Sequence, residues 1–204
     1  MEISPEAYCD AICILSDAPL SLKPMSIIEL HLFSYLGCVL ALFDGHALGD
    51  LGYEYAVTSD GFPFSIKLEE ARKHLVSRGL ISLDDHGYML PVRPHLDTEL
   101  DLILSIESLS LRRSWFRTAT ECALALPIGS IRYAIGQSPG MSASVPLGQR
   151  NNLLGVDDVE LLYDEYGIVQ DALGNQAQEL LSPAVLWLSA RVLSREGDAD
   201  ENQY

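Results

Sequence analysis

Positive charge is scarce at both ends of this 204-residue chain. Residues 1–60 carry nine acids against the single base Lys23, and residues 157–204 carry eleven acids against Arg191 and Arg195. Only residues 61–133, with nine of each sign, could supply the several cations on one face that a phosphate backbone needs. The net charge of -16 is thus mostly terminal. Long apolar runs are also missing: none approaches the roughly 18 residues of a membrane-spanning helix, so no membrane span is expected. The start Met1-Glu2-Ile3-Ser4-Pro5-Glu6 lacks the basic stretch that opens a secretory signal, and the expected location is cytoplasmic. Cys9, Cys13, Cys38 and Cys122 have no framework spacing and lie mostly in apolar helical contexts, as reduced, buried thiols do.

Catalytic signatures are lacking as well. There is no GxxxxGK[ST] phosphate loop, no GxGxxG after a strand and no HExxH, so any ATP hydrolysis would be a partner's. Gly136-Gln137-Ser138-Pro139-Gly140 matches the GxSxG nucleophile elbow in spelling only. Pro139 offers no N–H to an oxyanion hole and no histidine follows Ser138, so the string reads as a turn. Cys9 and Cys13 share a helix face, but a structural zinc needs a second ligand pair, and the histidines His31, His46, His74, His86 and His95 are scattered. Asp84-Asp85-His86 reads as a hairpin tip, and Asp157-Asp158 as a helix cap rather than a cation site. The chain is expected to have no cofactor, no metal and no enzymatic activity.

What is present is helical. Hydrophobic residues make up 48% and charged residues 21%, a composition suited to a well-folded chain with apolar surface to spare. Ile27, Ile28, Leu30, Leu32, Phe33, Leu36, Val39, Leu40 and Phe43 place apolar side chains on nearly every face of one helix, which must be buried from several sides. Ser26 and Glu29 spell a capping box at its start, and Asp44-Gly45 ends it. After a glycine-containing connector, Ser65 caps a second helix with Leu68, Ala71 and Leu75 at helical spacing, stopped by Gly79. Leu80-Ile81-Ser82-Leu83 and Tyr88-Met89-Leu90-Pro91-Val92 then flank a turn and predict a hairpin. Helix, helix, hairpin is the order of a winged-helix module.

Two cationic groups are the candidate contacts with a partner or nucleic acid. On the second helix, Lys67, Lys73 and Arg78 stand beside Glu69, Glu70 and His74, a mixed face that reads equally as a solvated surface with a Glu69–Lys73 pair. Further on, Arg112, Arg113, Trp115 and Arg117 form either a basic and aromatic interface patch, or an internally paired set with Glu121 answering Arg117 and Trp115 in the core.

The predicted architecture is mainly α with minor β: an N-terminal helical extension (1–23), a winged-helix module (24–92), a helical body (93–136), a connector (137–155), a C-terminal segment (156–197) and a disordered tail (198–204). The body would hold one long helix capped by Asp97 or Thr98 and running through Ala119, then a second helix around Ile128 to Ile135. Glycines, prolines, serines and asparagines make residues 137–155 a loop. Val159–Tyr163 and Ile168-Val169 about Asp164-Glu165-Tyr166-Gly167 read as a second hairpin or a short helix, and Ser182-Pro183 opens a last helix.

Ser26-Ile27-Ile28-Glu29-Leu30-His31-Leu32-Phe33-Ser34-Tyr35-Leu36, followed by residues 64–81 with their Leu75-Val76-Ser77-Arg78-Gly79-Leu80-Ile81 ending, resembles the small middle components of bacterial three-component ABC-ATPase systems. The third subunit of Lamassu antiphage defence is similar in kind. The resemblance covers the middle third of the chain and implies a non-enzymatic accessory subunit that docks on an SMC-like ATPase and bridges it to an effector nuclease, with any DNA contact indirect. Two other readings compete: a winged-helix transcription regulator, and an acidic DNA mimic suggested by the acids after residue 156.

Overall fold

The computed structural model describes residues 3–138, 140–141, 152–174 and 179–201. It is mainly helical with two small antiparallel sheets. Helix α1 (Pro5–Asp17) starts at Ser4, whose side chain accepts from the Ala7 N–H. Helix α2 (Ile27–Phe43) has the expected capping box: Ser26 Oγ accepts from Glu29 N at 3.2 Å, and the Glu29 carboxylate accepts from Ser26 N at 2.7 Å. Fourteen consecutive residues, Leu30 to Phe43, are buried. The structure supplies the reason for that apolar circumference. Helix α3 (Ile66–Ser77) and α1 pack together, α1 also packs on α2, and helix α6 (Arg112–Ala125) lies against both α1 and α2.

The hairpin forms as β3 (Ile81–Leu83) and β4 (Met89–Pro91), with Ser82 opposite Leu90. Gly79 takes a φ of 70°, the left-handed conformation that ends α3 without a Cβ penalty. Met25 makes a single antiparallel bridge to Met89 on the outer edge of β4. The residues read as an N-terminal extension thus form a helix that packs on both α2 and α3. The connector after α2 is also more ordered than expected. It holds β1 (Tyr55–Val57) and β2 (Pro63–Phe64), and β1 pairs on its other edge with β5 (Asn152–Leu153).

The single long helix expected to run through Ala119 is three pieces: α4 (His95–Leu104), α5 (Glu107–Ser110) and α6, and α4 starts at Pro94 without a side-chain cap. Ser105, Ser110 and Ser114 each donate a hydroxyl to the carbonyl three residues back, a competing arrangement that loosens a helix. At the break Ile106 is extended, which turns Leu109 inward. Helix α7 (Ile128–Gly136) follows as expected. Residues 156–173, read as hairpin or helix, are one helix, α8 (Val156–Leu173), because Leu162, Tyr166 and Val169 recur at helical spacing on a buried face.

Helix α9 (Leu181–Glu201) begins one residue before Ser182, with Pro183 still in the first turn, where its missing N–H costs nothing. It continues into the stretch expected to be a disordered tail. Residues 142–151 of the expected loop and residues 202–204 of the expected tail lie outside the described residues.

His31 shows how fully α2 is enclosed. It is 0% exposed, accepts from the Ser65 N–H at 3.1 Å through Nδ1, and stacks on Phe64 at 4.4 Å. Because Nδ1 accepts, the ring is neutral with its proton on Nε2, which has no partner among the described residues. Burial lowers its pKa from 6.5 to about 4, with Glu69 opposing and Arg72 adding to the shift from α3. A base that resists protonation in the fold stabilises fully above its unfolded pKa and loses that contribution as pH falls from about 6.5 toward 4. The loss should reach about 3 kcal/mol by pH 4. Chemical denaturation of the parent and of His31→Gln across that window should show their stability difference changing by this amount. A constant difference would mean that His31 protonates freely in the fold.

Candidate partner-binding surface

Each cation nominated from the sequence is engaged with a carboxylate of the same chain. On α3, Lys67 pairs with Glu70 at 3.2 Å and Lys73 with Glu69 at 3.4 Å, while Arg72 grips the same Glu69 at 2.7 Å. Arg72 and Lys73 hold the half-buried Glu69 carboxyl below its usual value, although burial pushes the other way. Arg78 reaches across to Glu99 on α4 at 2.6 Å and to the Tyr8 hydroxyl on α1 at 2.8 Å. Burial and Glu99 together push the Tyr8 phenol up to about 12.

On α6, Arg113 makes a two-pronged pair with Asp17 of α1, at 2.7 and 2.8 Å, and Arg117 meets Glu121 one turn on at 2.9 Å. Arg112 and Trp115, left open between an interface patch and the interior, are 3% exposed each. They belong to the interior because the break before α6 resets the helix phase and turns both inward. Trp115 donates its ring N–H to Asp44 at 2.9 Å and packs on His46.

Arg112 anchors a buried network that the sequence reading missed. Its guanidinium meets Asp10 through two hydrogen bonds of 2.7 and 2.6 Å, and donates to the carbonyls of Asp50 and Leu51 at 3.0 Å each. Tyr53 donates its hydroxyl to Asp10 at 2.6 Å, Ser34 contacts the hydroxyls of Tyr53 and Tyr55 at 2.8 and 2.6 Å, and Cys38 lies 3.7 Å from Tyr55. Burial pushes the Asp10 carboxyl above its ordinary value, against the pull of Arg112 and Tyr53. Burial also works against the Arg112 charge, but Asp10 outweighs it and holds the guanidinium above its ordinary value. One signal was available: Asp10 is a lone acid in the apolar run from Ala7 to Leu15, and a carboxylate there requires a buried cation.

The remaining motifs have structural roles. Ser138 is 1% exposed and its hydroxyl contacts Arg191 at 3.0 Å; Arg191 also pairs with Glu165 at 2.8 Å and lies over Trp187. Asp84 accepts from the N–H groups of His86 and Tyr88 at 2.9 and 2.8 Å, the tip of a turn. Asp158, expected to cap α8, instead accepts from the N–H of Gly140 at 2.9 Å. All four cysteines are buried free thiols, with Cys9 and Cys13 sulfurs 3.9 Å apart. Burial pushes the Cys38 and Cys122 thiols up to about 12, away from thiolate chemistry.

Among the described residues, no three of His, Cys, Asp or Glu converge as metal ligands do. Among them too, no helix is long and apolar enough to cross a membrane. Comparison with protein-family models, curated proteins and solved structures gives no match.

Proposed function

We propose that this chain is a non-enzymatic accessory subunit whose surface recognises protein, and that its partner is a cytoplasmic SMC-like ATPase that it bridges to an effector nuclease in bacterial antiphage or antiplasmid defence. The observation that carries the protein-binding part is the pairing of Lys67, Lys73, Arg78, Arg113 and Arg117 with acids of the chain itself, together with the burial of Arg112. A phosphate-gripping face needs cations free to exchange counterions for phosphates. Among the described residues the carboxylates of Glu160, Asp164 and Asp171 are exposed and in no ion pair, and exposed apolar residues such as Leu102, Leu111 and Ile168 accompany them. The identity of the ATPase rests on the resemblance of residues 26–36 and 64–81 to middle components of such systems. DNA contact inside the assembly is then indirect. Co-expression with the neighbouring ATPase should yield a complex that survives gel filtration at moderate salt. A monodisperse monomer beside free ATPase would end this reading.

One observation favours a DNA-binding regulator as the second reading. Lys67 and Lys73 lie on α3, the helix that precedes the wing, with side chains 48% and 68% exposed, and surface pairs of this kind hold by only about 0–1 kcal/mol.

A further inference from the structure

Helix α8 contains six carboxylates and no lysine or arginine. Its inner face is fully engaged. Leu162, Tyr166 and Val169 are buried, Tyr166 stacks on Phe43 at 4.1 Å, and Glu165 receives Trp187 at 2.7 Å as well as Arg191. The outward face consists of Glu160, Leu161, Asp164, Ile168, Asp171 and Ala172, all exposed and spaced by three, four or seven residues, so that they form one stripe. From Leu161 to Ala172 this stripe is about 16 Å long at ~1.5 Å per residue. Ile168 is 71% exposed, and Tyr163 flanks the stripe at 42%. Among the described residues, Glu160, Asp164 and Asp171 have no ion-pair partner.

We propose that this face of α8 docks a basic, amphipathic segment of a partner protein. The charge pattern decides between occupants. A second copy of this chain would set three carboxylates against three, and a nucleic acid would be repelled by the same groups. Among the described residues the chain's own cations are engaged elsewhere: Lys67, Arg72, Lys73, Arg78, Arg93, Arg112, Arg113, Arg117 and Arg191 sit in ion pairs, Lys23 donates to the Ser16 carbonyl, and Arg132 lies over Phe62. A segment with lysines or arginines around an apolar stripe meets both needs, laying its apolar residues on Leu161 and Ile168 and its cations on Glu160, Asp164 and Asp171. The proposal rests on the protein-binding reading above and names the chemistry of what binds at this face.

A fluorescence-anisotropy titration of the intact chain tests it, with a synthetic amphipathic leucine–lysine peptide as probe and a scrambled peptide of equal composition as control. The amphipathic peptide should bind saturably, and the scrambled one far more weakly. Leu161→Ser with Ile168→Ser, which removes the apolar contact without changing the charge, should lower affinity at least about tenfold, a loss of about 1.4 kcal/mol. Asp164→Lys should weaken binding and flatten its salt dependence. Both sets of changes fall on exposed positions, and circular dichroism melts should match the parent. No saturable binding, equal affinity for the scrambled peptide, or unchanged affinity in the double variant would each overturn the proposal. None of these results bears on co-purification with the ATPase, so the two readings fail separately.

Discussion

Asp10→Ala should destabilise the protein by about 3–5 kcal/mol, because it leaves the buried guanidinium of Arg112 without its counter-charge. Two carbonyls, of Asp50 and Leu51, would remain to receive that guanidinium, and neither carries a full charge. Against a typical total of about 5–15 kcal/mol, such a loss removes much of the margin for folding. Arg112→Met should cost about as much through the opposite orphan, a carboxylate that is 0% exposed. The double variant Asp10→Ala with Arg112→Met should lose clearly less than the two singles summed, since no buried charge is then left alone. Urea denaturation of the four proteins gives the cycle directly. Additive losses would show that the two side chains do not meet in the core.

Gly37→Ala is the second large effect, and its cause is steric. A Cβ at Gly37 would lie 2.3 Å from Phe116 Cδ1 and 2.4 Å from Cε1, distances that real methyl groups do not adopt. Phe116 is itself 0% exposed, so its ring has no solvent to swing into, and α2 must separate from α6. Overpacking of this kind costs about 1–3 kcal/mol, at times more. The substitution should lower the melting temperature, and adding Phe116→Leu should recover part of the loss by clearing the ring from the site. A neutral Gly37→Ala would mean that the two helices do not cross at this residue.

These two contacts also show which parts of the fold could be read from local pattern. The extent of α2 was legible because Ser26, Glu29 and Gly45 mark its ends chemically. Its burial was legible because apolar residues surround it. The wing was legible from its turn residues, and α3 from Ser65 and Gly79. What was not legible depends on partners distant in sequence. Tyr55–Val57 and Pro63–Phe64 are too short to show a period, and β1 finds its third strand at Asn152–Leu153, nearly a hundred residues on. The place of α1 beside α2 and α3 depends on tertiary contacts that no helical wheel displays.

Between the two readings of the Arg112–Arg117 group, Arg112 and Trp115 fall on the internal side for a local reason. With α4, α5 and α6 read as one helix, the serine-marked break was lost, and with it the inward phase of Arg112 and Trp115. The i,i+4 pairs Glu69–Lys73 and Arg117–Glu121 were legible and are present. The pairs Arg113–Asp17 and Arg78–Glu99 join separate helices, and only the folded chain reveals them.

The nominated cations Lys67, Lys73, Arg78, Arg112, Arg113 and Arg117 are all paired within the chain, which leaves a surface suited to protein rather than nucleic acid. Filter binding of duplex DNA by the isolated chain, repeated over a series of salt concentrations, measures whether those cations are free to grip phosphate. The expected result is weak binding with little salt dependence, since few free cations remain to displace counterions. Tight binding that falls steeply with salt, and is lost in Lys67→Glu with Lys73→Glu, would contradict the claim and make α3 a recognition helix.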